Sequence, residues 1–123
     1  GIAGLVLMVH LMGWTGRPAF ASEAEARAAF LADYPDAETG GVALSADRRA
    51  ALLAVGEDVG FAERFGQGRV TRLFRRGDLA AVAGEGRLRI ETRDFTLPVI
   101  EIELAEEAGP WRARLSALTG DEA

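Results

Sequence analysis

The side chains that carry out most enzymatic chemistry are nearly absent from this 123-residue chain. His10 is the only histidine, and the sequence contains neither cysteine nor lysine. Thiolate nucleophiles and Schiff-base amines are therefore missing, and His10 is the only side chain that ordinarily titrates near neutral pH. Because His10 lies in an apolar segment with no acid beside it, and one histidine does not build a metal site, we expect a protein that is not an enzyme and binds no metal.

The net charge of the chain limits the classes of partner that it can bind. All fourteen basic residues are arginines, against nineteen acids, and the net charge is −5. This balance argues against nucleic-acid binding, in which neutralised phosphates supply most of the affinity. Ten arginines lie between residues 48 and 93, and Arg72, Arg75 and Arg76 form the tightest group. These three are candidates for contact with anionic lipid head groups, and a solvated face with complementary charges is the alternative.

The first fourteen residues are apolar except for His10 and end at Trp14, with Arg17 shortly after. A fourteen-residue helix is about 21 Å long, shorter than a bilayer core of about 30 Å. Since the sequence begins with glycine rather than methionine, we expect further residues upstream. With them, residues 1–16 are predicted to form a transmembrane anchor that places Trp14 and Arg17 at the interface.

Small and polar residues indicate how this anchor packs. Gly1 and Gly4 allow a second helix to approach closely, and His10 inside a membrane needs a polar partner. We therefore expect other membrane subunits as partners of a single-pass inner-membrane protein. The Ala, Gly and Arg bias favours a bacterial source, and Arg17 favours a cytoplasmic folded domain. The alternatives are a signal peptide cleaved after Ala21 and a helix buried within a soluble domain.

The motif over residues 9–18 resembles the end of the membrane helix of bacterial light-harvesting β-polypeptides. His10, Trp14, Arg17 and Pro18 match the spacing of that family's pigment-ligating histidine, the tryptophan four residues later and the interfacial Arg-Pro pair. The family's second tryptophan is absent here. The resemblance implies that His10 ligates the magnesium of bacteriochlorophyll in a photosynthetic antenna; without it, we expect no cofactor.

A short amphipathic helix follows the anchor. Ser22 and Glu25 form a capping box, in which each side chain satisfies a backbone N–H of the first turn. The helix is predicted to end near Tyr34, because Pro35 disfavours helical geometry in the residue before it. Residues 17–41 therefore form a neck and an amphipathic helix between the anchor and the remaining chain.

Seven runs of strand-like composition then alternate with turns that contain Gly or Asp. In the last two runs apolar residues alternate with charged ones, mainly Arg on one and Glu on the other, so opposite charges can pair across an antiparallel ladder. The runs are Val42–Ser45, Arg49–Val55, Val59–Phe65, Arg69–Phe74, Leu79–Ala83, Arg87–Arg93 and Val99–Leu104. A closing helix is predicted over Glu106–Thr119, with Trp111, Leu115 and Leu118 on one stripe. A start near Gly109 is the alternative, because proline is tolerated only in the first turn of a helix.

Seven antiparallel strands followed by a helix that contains Trp111 resemble the pleckstrin-homology-like (PH-like) superfold over residues 42–119. The resemblance implies a barrel or bent sheet whose open end is closed by the C-terminal helix, with Trp111 in the core and residues 120–123 as a tail. We thus expect a mainly β (α+β) protein with an N-terminal membrane helix. Its expected function is that of a non-catalytic accessory or interaction subunit of a larger bacterial membrane complex. The alternatives are an anionic-lipid-binding PH-like module and an antenna-associated subunit.

Overall fold

A computed structural model describes residues 19–65 and 68–119. This part of the chain is mainly β, as predicted, with seven antiparallel strands and two α-helices. The elements are α1 (Glu23–Asp33), β1 (Thr39–Leu44), β2 (Ala50–Val55), β3 (Asp58–Phe65), β4 (Gly68–Phe74), β5 (Leu79–Gly84), β6 (Arg87–Thr92), β7 (Val99–Glu103), a 3-10 turn (Ala105–Glu107) and α2 (Ala108–Ser116).

The strands form two separate sheets, β1-β2-β3-β4 (the first sheet) and β5-β6-β7 (the second sheet). Neither sheet closes into a barrel within the described ranges, so the barrel implied by the PH-like resemblance is wrong. The chain changes sheets at Gly77, whose φ is 93°. The N–H groups of Gly77 and Leu79 donate to the carbonyl of Leu118, at 2.8 and 3.5 Å. These two N–H groups are therefore bound to the segment that follows α2. They are not available to begin a hydrogen-bonded ladder between β4 and β5.

The principal core lies between the two sheets and α2. Leu52 and Phe61 of the first sheet pack there with Leu88 and Ile90 of β6 and with Leu115 of α2, all buried. The predicted alternation of β6 and β7 is confirmed, because their apolar residues face this core and their arginines and glutamates face water. Burial of these apolar side chains is the main favourable contribution to the free energy of folding, and it holds the two sheets together.

A second apolar cluster covers the opposite face of the first sheet. Ala51 and Leu53 of β2 point toward α1, which contributes Phe30, whereas Leu52 between them points into the principal core. A strand that is buried on both faces needs apolar residues at successive positions, which explains the run Ala50–Val55. The domain therefore has three layers: α1, the first sheet, and the second sheet with α2.

The C-terminal helix is shorter than predicted. The 3-10 turn precedes it, and Pro110 lies in the first turn of α2, where a missing N–H costs no helical hydrogen bond. Leu115 and Leu118 are buried, as the predicted stripe requires. Trp111 is only partly buried and packs against the margin of the principal core.

No helix among the described residues is both long and apolar enough to cross a membrane. The predicted anchor and pigment-binding residues lie outside the described part of the chain: Gly1, Gly4, His10, Trp14 and Arg17. The predicted C-terminal tail lies outside it as well.

Candidate interaction surfaces

The chain joins the domain at one end of the first sheet. Phe20 is only 1% exposed and packs in the cluster under α1. Its N–H donates to the carbonyl of Arg48 at 2.7 Å, in the turn between β1 and β2. Because the first sheet is antiparallel, the β1–β2 turn and the β3–β4 turn lie at this end of the sheet. The β2–β3 turn and the last residue of β4 lie at the opposite end. We call the end that contains Phe20 proximal and the opposite end distal.

Three arginines lie side by side across the first sheet at its proximal end. The N–H of Arg64 donates to the carbonyl of Arg49 at 2.8 Å, and Arg64 is paired in register with Arg69. All three belong to the face that α1 covers, by the alternation of side chains along each strand. Like charges directly opposite each other destabilise a sheet. The row therefore requires negative charge nearby.

That negative charge is present for two members of the row. Asp33 of α1 accepts hydrogen bonds from Arg69 at 3.0 and 3.1 Å. The carboxylate of Asp47 accepts from the backbone N–H of Arg49 at 3.0 Å and attracts the Arg49 guanidinium electrostatically. The guanidinium of Arg64 has no hydrogen-bond or ion-pair partner within residues 19–65 and 68–119.

Phe65 follows Arg64 at the end of β3 and is 65% exposed. It therefore places an aromatic ring in solvent at the same end of the sheet as the arginine row, on the opposite face. We call Arg48, Arg49, Arg64 and Phe65 the proximal surface. No local sequence pattern indicates this surface, because the row exists only once the strands are in register.

Arg72, one of the three arginines predicted to contact lipid, is engaged inside the domain. Its Nε lies 2.8 Å from Oδ2 of Asp94, and its other nitrogens donate to Thr96 Oγ1 at 3.0 Å and to the carbonyl of Thr71 at 2.7 Å. The side chains of Arg72 and Asp94 are 31% and 34% exposed. Because Asp94 already compensates its charge, Arg72 mainly positions the turn to which it is bound.

That turn joins β6 to β7 and is built around Asp94. The Asp94 carboxylate accepts from the N–H and hydroxyl of Thr96, and the N–H of Leu97 donates to the Asp94 carbonyl at 2.9 Å. Thr92 Oγ1 donates to the carbonyl of Leu97 at 2.6 Å. The hydrogen bonds from Thr96, then that from Arg72, lower the pKa of Asp94 below its ordinary value. Asp94 is therefore charged at neutral pH and holds the turn.

Phe95 projects from this turn and, at 91% exposure, is the most exposed large apolar side chain among the described residues. Arg75 and Arg76 lie in the adjacent β4–β5 turn, and the two turns are joined by the N–H of Arg93, which donates to the carbonyl of Asp78 at 2.9 Å. Both guanidinium groups are exposed and lack a partner in the described part of the chain. We call Arg75, Arg76 and Phe95 the distal surface.

The proximal and distal surfaces consist of arginine and phenylalanine side chains. Within the described ranges there is no cluster of three or more His, Cys, Asp or Glu side chains that could hold a metal ion. A groove of about 510 Å³ between the end of α1 and the β2–β3 turn is lined by Asp36, Asp58 and Arg75, with no nucleophile beside a base. Burial raises the pKa of Glu63, with Arg49 opposing the shift. Both surfaces combine an exposed aromatic ring with guanidinium groups, which are side chains that dominate protein interfaces.

Comparison of the chain with protein-family models, with curated protein sequences and with solved structures found no match.

Proposed function

We propose that this protein is a non-catalytic, single-pass accessory or interaction subunit of a larger bacterial membrane complex, with residues 1–16 as its anchor and the folded domain in the cytoplasm. We further propose that the two-sheet domain is a PH-like fold in an open form, closed at one side by α2. The proposal is supported above all by the position of Phe20. This buried residue follows Trp14 by only six positions, so an anchor that ends at Trp14 holds the proximal end of the domain near the bilayer.

With the proximal end held near the bilayer, the distal surface faces away from the membrane and is accessible to a protein partner. Phe95 offers one aromatic ring on a turn fixed by hydrogen bonds, and Arg75 and Arg76 add two uncompensated positive charges. Aromatic and arginine side chains dominate the energetics of protein interfaces. An acidic partner with a pocket for one ring would complement this surface. Since the anchor keeps the domain beside other membrane subunits, even a weak contact is strengthened by effective concentration.

Site-specific photocrosslinking tests this function. The full chain carries a photoreactive phenylalanine analogue in place of Phe95, or in place of Glu85 in the exposed β5–β6 turn as the matched control, and is irradiated in native membranes. We expect a UV-dependent adduct of one discrete mass at position 95 and none at position 85, with the protein retained in membranes at alkaline pH. Release at alkaline pH, or identical adduct patterns at both positions, would contradict the proposal.

A second candidate function is an anionic-lipid-binding module that uses Arg75 and Arg76. It is favoured by the lack of partners for these two guanidinium groups among the described residues. In this case the distal surface, rather than the proximal one, would touch the bilayer. A third, an antenna-associated subunit, depends on His10 alone and predicts bacteriochlorophyll absorbance that His10→Ala abolishes.

A further inference from the structure

We infer that the proximal surface lies on an anionic bilayer surface, with Phe65 in the interfacial layer and the three arginines of that surface toward lipid phosphates. This inference rests on the proposed anchoring function and adds to it the orientation of the domain. It also assigns membrane contact to residues other than Arg72, Arg75 and Arg76.

Only a short length of chain separates the predicted anchor from the domain. Residues 15–19 connect Trp14 to Phe20 and span at most roughly 20 Å when fully extended. Phe20 cannot swing away from the proximal end, because it is buried and hydrogen-bonded to Arg48. The proximal surface is therefore the part of the domain that the neck brings closest to the bilayer.

The proximal and distal ends of the domain are far apart compared with the range of electrostatic attraction in salt. The eight residues of β3 run from the distal end to Phe65, which corresponds to about 26 Å at 3.3 Å per residue. Electrostatic attraction between exposed charges is largely screened beyond about 8–10 Å at physiological salt. With the proximal end on the bilayer, Arg75 and Arg76 gain little from anionic lipid.

The proximal surface carries positive charge that the described part of the chain does not fully compensate. Arg64 stands between Arg49 and Arg69 in the cross-strand row and has no anionic partner among the described residues. The two acids that contact the other members of the row serve other groups, since Asp47 accepts from Ser45 and from the backbone N–H of Arg49, and Asp33 accepts from Arg69 and Thr71. Lipid phosphates would supply the missing negative charge.

Phe65 supplies the apolar part of the contact. A single exposed phenylalanine is ordinary on a protein surface. Phe65 differs in its position, because it ends a strand at the end of the domain to which the neck attaches, on the sheet face opposite to Arg64. A bilayer that meets this end of the sheet touches both faces at once. The ring can then enter the head-group layer while the cations meet phosphates, which is the combination that binds at membrane interfaces.

Single-cysteine labelling of the full chain tests this orientation, since the natural sequence contains no cysteine. Leu5→Cys, Phe65→Cys and Phe95→Cys each carry one environment-sensitive fluorophore in nanodiscs of phosphatidylcholine with or without phosphatidylglycerol. Quenchers attached to lipids at a shallow and a deep position, and aqueous iodide, report the surroundings of each label. Arg48→Cys repeats the measurement from the neighbouring turn, should labelling of position 65 disturb the fold.

We expect deep lipid quenching at position 5, shallow lipid quenching at positions 65 and 48, and iodide quenching alone at position 95. Removing phosphatidylglycerol, or introducing Arg64→Gln, should reduce the shallow quenching at position 65 by about twofold or more. The matched variant Arg76→Gln should leave it unchanged.

The other outcomes separate the two proposals. If position 5 is quenched by lipid but positions 65 and 48 are as open to iodide as position 95, the protein is anchored and the inferred orientation is wrong. Lipid quenching at position 95 instead of 65 would also overturn it and favour the anionic-lipid module. If position 5 shows no lipid quenching, the anchoring function fails, and this inference fails with it.

Discussion

The ring of Phe30 lies directly over Gly60. A Cβ atom at Gly60 would be 2.7 Å from both Cε1 and Cζ of that ring, closer than non-bonded carbon atoms come to each other. Phe30 is fully buried and stacks on Tyr34 with 4.8 Å between ring centroids. The missing side chain in β3 is therefore what lets α1 approach the first sheet closely enough to cover it.

Gly60→Ala should destabilise the domain by about 1–3 kcal/mol, because the added methyl group forces Phe30 or the whole of α1 to move. Urea denaturation of the full chain in mild detergent measures the free energy of unfolding. The matched control is Gly41→Ala, since a Cβ at Gly41 meets nothing within 4 Å. The loss in Gly60→Ala should shrink when Phe30→Leu is also present, and simple addition of the two losses would contradict the proposed clash.

Two phenylalanines at the proximal end should respond very differently to truncation. Phe20→Ala empties a buried position in the cluster under α1 and should cost about 3–5 kcal/mol of unfolding free energy. Phe65→Ala removes an exposed ring and should change it by less than about 0.5 kcal/mol. Thermal denaturation of both variants in the same detergent checks the contrast. Equal losses would mean that Phe20 does not fasten the neck to the domain.

The link between α1 and β4 should weaken in acid. Hydrogen bonds from Arg69, then that from Thr71, lower the pKa of Asp33 below its ordinary value of 3.8. A carboxyl whose pKa is lowered by folding stabilises the fold fully above its ordinary pKa, and this stabilisation is lost as the pH falls from about 4 through the lower folded-state pKa. Asp33→Asn should therefore lower the unfolding free energy at pH 7.

That loss should be about 0.5–1 kcal/mol, since the side chains of Asp33 and Arg69 are 40% and 38% exposed. Below pH 4 the difference between Asp33→Asn and the natural protein should shrink. Asp36→Asn is the control, because no side-chain hydrogen bond to Asp36 occurs in the described part of the chain. Urea denaturation at a series of pH values measures both variants, and a difference that stayed constant down to pH 2 would rule out the Asp33 carboxylate as its source.

Arg72 should control the rigidity of the turn that presents Phe95. Arg72→Gln removes the ion pair to Asp94, and amide hydrogen exchange at Thr96 and Leu97 should then rise roughly two- to fivefold, as expected for a pair that is about one-third exposed. Arg76→Gln, which removes a charge without a described partner, should leave exchange in the turn unchanged. Exchange that is unaffected by Arg72→Gln would show that the backbone hydrogen bonds suffice to hold the turn.

Local sequence patterns predicted well those features that depend on residues close together in the chain. The alternation of apolar and charged residues located β6 and β7, and the predicted pairing of their outer charges is observed as Arg89 to Glu101 at 3.0 Å and Arg87 to Glu101 at 3.2 Å. The predicted N-cap is also confirmed, since the N–H of Glu25 donates to Ser22 Oγ at 3.2 Å. These features depend on residues within one element or on neighbouring strands.

The sequence by itself therefore determined the strands, their turns and the two helices, because side-chain periodicity and capping act over a few residues. Only the tertiary structure decided that the strands split into two sheets, that α1 covers the outer face of the first, and that Phe20 and Arg75 lie at opposite ends. It also brought Arg49, Arg64 and Arg69 into one row. These relationships depend on contacts between residues far apart in the chain. Hydrophobic burial drives such contacts, and because it is non-directional, a local pattern shows that a side chain is buried but not which partner it is buried against.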